Sequence, residues 1–372
     1  MIGGIIDPIK GKIIDSNDLL CDGWIKENEN IESVKIFIDD IYLGDANFGK
    51  KMGGFKNYFF FYMPDILNDG HHTIRIKLFK ENIFYSELEP REFNVDQSIA
   101  AIQLINVQLT NRCNLNCRWC SVSQFENKQD MDFFVFEKMM QQINSSNMVV
   151  NEIMLQTAGE SLLHPEIKRF LDYLGSLQKR PKTTLVTNAT CLSDRISRII
   201  LSSRGLDNLI FSVDGGTKES YEWLRRGAIY EKTIDNILAF LKLNNGSIQT
   251  GIIAIDLGRV FDEIFNDLCI KVNSVEIRPP HNWTGFEKLE DFKISQDFNP
   301  FPCTFIKNNL VVRLNGDVAV CCADQMGRGV IGNIERDHLF NLWKTERYHL
   351  FKLQAQGRKS SLSLCEKCSI LS

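Results

Sequence analysis

Apolar and polar residues alternate in short segments through roughly the first hundred residues. In SVKIFIDD (33–40), Val34, Ile36 and Ile38 alternate with polar neighbours, and TIRIKLF (73–79) repeats the pattern after an Asn-Asp-Gly turn at 68–70. Tyr58-Phe59-Phe60-Phe61-Tyr62 is an aromatic run of high strand propensity. A period of two marks a strand with one buried face. Such segments, separated by turn signals, predict a β-sandwich over residues 1–98. His71 and His72 fit either an edge-strand pair at the turn or a metal-binding pair. DQSIAA (96–101) reads as a linker.

Over 99–298 the period changes. Apolar segments at 103–110, 152–156, 183–188, 209–213, 249–255 and 275–278 read as strands. Between them, 132–146, 165–178, 193–203, 217–244 (broken near Gly227) and 260–271 read as helices. Strands alternating with helices imply a parallel sheet, either an open doubly wound sheet or a partial (β/α)6 barrel. Both place chemistry at the C-terminal strand ends. Over 299–372 the alternation stops. LVVRL, then Asn315-Gly316-Asp317, then VAVCC is a hairpin signal, and DHLFNLWKTERYHLFKLQAQ reads as a helix. The fold class is thus multidomain: a sandwich, an α/β unit and a small C-terminal domain.

The chain has 372 residues, 44% apolar and 24% charged, with a net charge of −4. These values suit a globular protein and exclude collagen-like or disordered classes. No basic field is present to hold a nucleic-acid backbone. The start, MIGGIIDPIKGK, lacks a basic region followed by a long apolar one, and no apolar run approaches a membrane span. The expectation is a soluble, cytoplasmic protein without nucleic-acid or membrane partners.

The chain contains 11 cysteines. An odd count in a chain without a signal sequence argues against a disulfide framework and for metal or redox work. Cys113, Cys117 and Cys120 form C-x3-C-x2-C directly after the first strand of the α/β region. Three thiolates there can hold three irons of a cubane and leave the fourth open, or the site can be zinc. Cys303, Cys321, Cys365 and Cys368 can form a closed site, for which zinc and iron–sulfur remain alternatives on spacing alone. Cys322, next to Cys321 on a predicted strand, should point the other way and is left out.

The first motif, with Trp119 before its last cysteine, resembles the radical S-adenosylmethionine (radical SAM) superfamily. The likeness continues in order over about 102–285. Gly159-Glu160, in MLQTAGESLLHPEI, resembles the family's Gly-Gly-Glu segment, with Ala158 for the first glycine. Thr187-Asn188 resembles Thr-Asn-Gly, with Ala189 for the glycine, and Ser212-Val213-Asp214-Gly215 resembles Ser-Ile-Asp-Gly. The resemblance implies a partial barrel and S-adenosylmethionine contacts from Trp119, Gly159, Glu160, Asn188, Ser212 and Asp214, with Arg225 at the methionine carboxylate. Cys303-x12-Gly316-x4-Cys321, then GNI (332–334), LFNLW (339–343) and the final Cys365-x2-Cys368 resemble the SPASM/twitch extension. This implies one auxiliary 4Fe–4S cluster beside the 4Fe–4S cluster that binds S-adenosylmethionine. GWIKENENIESVKIFIDD and DGHHTIRIKLF resemble immunoglobulin-like modules that accompany glycan-modifying enzymes.

The implied activity is hydrogen abstraction from substrate by a 5′-deoxyadenosyl radical, with a flavodoxin- or ferredoxin-type electron donor. Cys191, just past the third strand, is the first candidate for a hydrogen donor, and Cys322 the second. The expected reaction is dehydrogenation or epimerisation of a sugar or cyclitol-type small molecule, including a nucleotide-sugar or glycan unit. Peptide or protein modification, such as thioether crosslinking, is the alternative. A non-enzymatic glycan-binding protein with a degenerate barrel is the third.

Overall fold

A computed structural model describes residues 3–7, 13–14, 20–26, 30–52, 55–62, 67–125, 127–255, 261–278, 280, 303–355, 362–366 and 368. The alternating segments of the N-terminal part form two facing sheets. One orders β1 (Gly3–Asp7), β3 (Leu20–Ile25), β7 (Phe55–Tyr62) and β6 (Asn47–Met52). The other orders β2 (Ile13–Ile14), β10 (Arg91–Val95), β8 (Gly70–Lys80), β4 (Ser33–Ile38) and β5 (Ile41–Asp45), with β9 (Ile83–Glu87) also pairing with β8. Val34, Ile36, Ile38, Ile74, Ile76 and Leu78 all point between the sheets, where they meet Ile5, Cys21 and Phe59. Each such buried aliphatic side chain contributes roughly 1.5–3 kcal/mol. The aromatic run on β7 needs more than one partner surface. Phe59 enters the sandwich core, while Tyr58 and Phe60 face away from it and are buried against the C-terminal segment.

The histidine pair is structural. His72 Nδ1 lies 2.6 Å from Asp39 Oδ2 and its Nε2 2.8 Å from the Asn68 carbonyl, bracing the turn. His71 points to solvent, 3.9 Å from Glu92. The expected linker is shorter than read: β11 (Ala100–Val107) starts inside it, paired with β12 (Met148–Leu155).

Strands then alternate with helices: α1 (Phe133–Ser145), β12, α2 (Ile167–Ser176), β13 (Lys182–Thr187), α3 (Asp194–Ser203), β14 (Asn208–Ser212), α4 (Lys218–Leu224), α5 (Tyr230–Asn244), β15 (Gln249–Ile255), α6 (Glu263–Cys269) and β16 (Ser274–Arg278). The helical stretch expected at 217–244 is broken near Gly227 as read, where Gly227 adopts φ +95° between α4 and α5. The six strands are parallel and stand side by side in chain order. That order has no reversal, so the winding is barrel-like rather than doubly wound. The sheet does not stop at β11. After α7 (Thr304–Asn308), β17 (Asn309–Val312) adds to it in parallel, followed by β18 (Asp317–Ala319) and β19 (Val330–Asn333) antiparallel. The closing helix is α8 (Leu339–Leu342), a π-helical turn at Trp343–Arg347, then α9 (Tyr348–Ala355).

Ile105, Val107, Leu109, Ile153, Leu155, Leu185, Leu209, Phe211 and Val213 pack on the helices in one core. By alternation, Asn106, Gln108, Glu152, Gln156, Ser212 and Asp214 line the opposite, concave face. Among the described residues no helix is long and apolar enough to cross a membrane.

Candidate active site and cysteine centres

The loop carrying Cys113, Cys117 and Cys120 leaves β11 at its C-terminal end and is held from two sides. On one side the Asn111 carboxamide bridges Asn127 O (2.8 Å) and Gln129 N (2.6 Å), and Arg112 Nε reaches both Asp130 oxygens at 3.1 and 3.0 Å. On the other, Asn116 N donates to Arg226 O (3.0 Å) and Arg118 N to Leu224 O (2.8 Å). The Arg118 guanidinium donates to Trp223 O at 2.8 Å and stacks on the Trp223 ring at 4.7 Å. The second anchor sets the cysteine loop beside Arg225, at the end of α4.

Gly159 makes the next joint. Its φ is +90°, and an added Cβ would stand 2.3 Å from Thr110 O and 2.9 Å from Arg112 O. Only glycine allows this approach without strain, and Glu160 N then donates to Arg112 O at 2.7 Å. Ala158 is absent from the positive-φ positions, so alanine is accommodated there. Ala189 is different: it takes φ +59° while fully buried. A left-handed alanine costs roughly 1–2 kcal/mol that glycine would not.

Glu160 is 3% exposed and is not a solvated loop charge. Its carboxylate accepts from Thr187 Oγ1 (2.9 Å), Asn188 N (2.8 Å) and Leu162 N (3.1 Å). A carboxylate has about four acceptor directions, so one remains. Burial raises the Glu160 pKa, opposed by these donors. The Asn188 side chain donates to Asn114 Oδ1 at 3.2 Å, lies 4.0 Å from Cys113 Sγ, and accepts from Thr190 N and Oγ1.

Asp214 and Ser212 do not cap the following helix; Thr217 does. They hold Arg225 instead. Arg225 Nε and Nη2 reach Asp214 Oδ2 at 2.8 and 2.7 Å, and Nη2 reaches Ser212 Oγ at 2.5 Å. Asp214 Oδ1 accepts from Ile255 N at 2.9 Å. Arg225 is 4% exposed, so it is not a helix-surface charge. Its charge draws on all three loop thiols. Burial nevertheless pushes Cys117 up to about 11 and Cys120 up to about 12, and raises Cys113. Such thiols are protonated until a positive centre binds them. Beside Cys120, the fully buried Ser121 hydroxyl has no hydrogen-bond partner among the described residues. Three buried thiols awaiting a positive centre and an orphaned hydroxyl beside them fit a bound cationic cluster with acceptor sulfides. Cys191 is half-buried on the loop after β13, within electrostatic reach of Cys113 and Glu160.

The second set of cysteines is gathered from distant segments. Cys303 precedes α7, Cys321 follows β18, and Cys365 and Cys368 come from the last described turn. All four join one apolar cluster with Leu20, Tyr58, Phe60, Val320 and Phe351. Gln354 ties two of them, accepting from Cys303 N at 3.0 Å and donating to Cys365 Sγ at 3.6 Å. Burial raises Cys303 and pushes Cys321 well above the ordinary thiol range, with Cys322 and Cys303 adding to Cys321. Trp119 packs into this cluster from the first loop, linking the two centres. Cys322 does not lie on a strand, because β18 ends at Ala319; its thiol sits within reach of Arg278 at the end of β16. Among the described residues no three His, Cys, Asp or Glu side chains stand close enough for a single metal ion.

Sequence reasoning placed Thr187 in a motif without a role and missed Asn114 and Thr190, which with it wire the strand-end polar groups together, and the wall of sandwich residues around the second centre. Their common signal was weak: small polar residues flanking the recognised ones.

Residues 107–264 match the Radical SAM superfamily, and residues 303–369 match SPASM, an iron–sulfur cluster-binding domain. A relative from Niallia circulans, an S-adenosyl-L-methionine-dependent 2-deoxy-scyllo-inosamine dehydrogenase, is 22% identical over 72% of this chain and 93% of its own length. A GTP 3′,8-cyclase from Syntrophomonas wolfei is 24% identical over 43% of this chain; the match spans only 49% of that protein. Among solved structures, BtrN in complex with AdoMet and 2-DOIA aligns with a TM-score of 0.51 and 18% identity, covering 74% of this chain and 95% of that one. Streptococcus suis SuiB bound to precursor peptide SuiA aligns with a TM-score of 0.54 and 17% identity, covering 73% and 71%. At these identities the structural likeness concerns the fold. A non-enzymatic barrel is set aside, and the chain is a radical SAM iron–sulfur enzyme, with a 4Fe–4S cluster that binds S-adenosylmethionine and a SPASM-type auxiliary cluster.

Proposed function

We propose that this enzyme is an oxidoreductase, a dehydrogenase or epimerase, acting on a sugar or cyclitol-type small molecule. In this reading Cys113, Cys117 and Cys120 hold the cluster that binds S-adenosylmethionine, and Cys303, Cys321, Cys365 and Cys368 hold the auxiliary cluster. When bound, these groups supply abstraction of a hydrogen atom from carbon and a route for the electron.

The chain's own residues prepare the site. Glu160 locks the turn after β13 and keeps one acceptor direction for an ammonium group. Asp214 and Ser212 fix the Arg225 guanidinium beside Cys117, where it favours a carboxylate. Gly159 brings its strand end onto the cysteine loop. Asn188 sits within 4.0 Å of Cys113 Sγ, orienting the rim. Trp119 seals the side toward the second centre.

The observation that carries the substrate class is the concave face. Its strand rows bear Asn106, Gln108, Glu152, Gln156, Ser212 and Asp214 among aliphatic side chains such as Leu104, Met154, Val186 and Ile210. Asn106 Nδ2 is buried without a partner among the described residues. Unsatisfied buried donors cost about 1–3 kcal/mol each, a cost that a polyhydroxylated substrate removes. The name of the Niallia circulans relative points to the same chemistry.

The test is anaerobic reconstitution with a flavodoxin- or ferredoxin-type donor and 2-deoxy-scyllo-inosamine, myo-inositol, D-glucose and UDP-glucose as probes. Release of 5′-deoxyadenosine above the substrate-free rate, with deuterium transferred from a labelled ring carbon, supports the reading. Stimulation by peptides alone overturns it in favour of peptide modification.

A further inference from the structure

Besides Asn106, a second polar side chain of the concave face has no partner among the described residues. Gln108 follows β11 directly and is 5% exposed. Its backbone amide donates to Val312 O at 2.9 Å, but its carboxamide has no partner among the described residues. It opens into a pocket of about 150 Å³ between the cysteine loop and the C-terminal hairpin, lined also by Asn111, Phe125, Gln129, Arg313, Leu314 and Asn315.

The lining has a built wall and a free part. Asn111 is spent on Asn127 and Gln129. Arg313 is fixed by two carbonyls, Asp324 O and Gln325 O, each at 3.1 Å. These are neutral acceptors, and among the described residues no carboxylate pairs with this lining residue. Gln129 is exposed and its carboxamide, like that of Gln108, makes no hydrogen bond among the described residues. Two carboxamides in one lining offer donors and acceptors to a guest.

Size and charge then select the guest. A cavity of roughly 150 Å³ accommodates one six-membered ring, and carboxamides set beside Phe125 and Leu314 suit a ring with both hydroxyls and apolar C–H faces. A fixed guanidinium disfavours an ammonium substituent nearby. We propose that this pocket is a subsite for one neutral, hydroxylated six-membered ring, read by Gln108 and Gln129, with Arg313 selecting against an amino substituent. The ring belongs to a cyclitol or to a monosaccharide. The proposal rests on the sugar or cyclitol reading above and sharpens it.

The experiment is a saturation-transfer NMR titration of the reconstituted full chain with S-adenosylmethionine, using myo-inositol, D-glucose and 2-deoxy-scyllo-inosamine. At least one neutral ring binds, and the aminocyclitol binds at least tenfold more weakly. Gln108→Leu and Gln129→Ala each weaken the neutral ring by about 10- to 100-fold, the cost of unpaired polar groups. Gln129 is exposed, so its variant keeps the test decisive if Gln108→Leu fails to fold. If both rings bind and neither variant weakens them, the subsite is overturned while the substrate class stands. If no probe binds wild type, the substrate class falls and the subsite with it. Tighter binding of the aminocyclitol overturns the part assigned to Arg313.

Discussion

The two cysteine centres are built on opposite plans. The first takes three thiols from one loop within eight positions and surrounds them with buried charge: Glu160, Asp214 and Arg225. The second takes four thiols from three separated segments and surrounds them with Leu20, Tyr58, Phe60 and Phe351. A contiguous loop with charged neighbours can keep a coordination position open to a charged ligand. A site assembled across the fold in an apolar shell can only close. The comparison teaches that the first centre is a local feature tuned by electrostatics, while the second is a tertiary feature whose integrity depends on the docking of three regions.

The largest expected effect separates the centres outright. Cys113→Ala, Cys117→Ala or Cys120→Ala reduces 5′-deoxyadenosine formation below detection and lowers iron from about eight to about four per chain. Cys321→Ala loses the other four and keeps substrate-independent formation. Equal loss from both sets would erase the distinction. Next comes the charge behind the first loop. Arg225→Met leaves Asp214 buried and uncompensated and costs about 3–5 kcal/mol in urea unfolding; a loss under 1 kcal/mol would show a solvated pair. Phe60→Ala tests the apolar plan. It costs about 3 kcal/mol and releases iron from the second centre, seen by electron paramagnetic resonance, while the first signal persists. Loss of the first signal instead would place the sandwich against the wrong centre. The smallest effect is a gain: Ala189→Gly relieves a left-handed alanine and raises stability by roughly 0.5–1 kcal/mol in the same unfolding assay.

How much of this was legible follows the same division. The barrel strands were readable because period and strand-end chemistry coincide: the segment at 249–255 is β15 as expected, and Ser212 ends β14 with Asp214 just beyond it. The cysteine loop was readable because its spacing is local. The destination of Tyr58 and Phe60 was not, because an aromatic run on a strand says that both faces are covered but not by what. Nor could the strand β17 beside β11 be foreseen, since pairing across some two hundred residues leaves no local trace. Cys322 was misplaced for a related reason: alternation was extended past Ala319, where the strand had already stopped.

The aromatic wall on β7 has a consequence for biogenesis. Phe60 and Tyr58 emerge from the ribosome long before Cys303 to Cys368, the residues they cover. During translation of the entire barrel this greasy patch is bare, an invitation to chaperones, and iron–sulfur delivery must wait until the final turn can fold down over it.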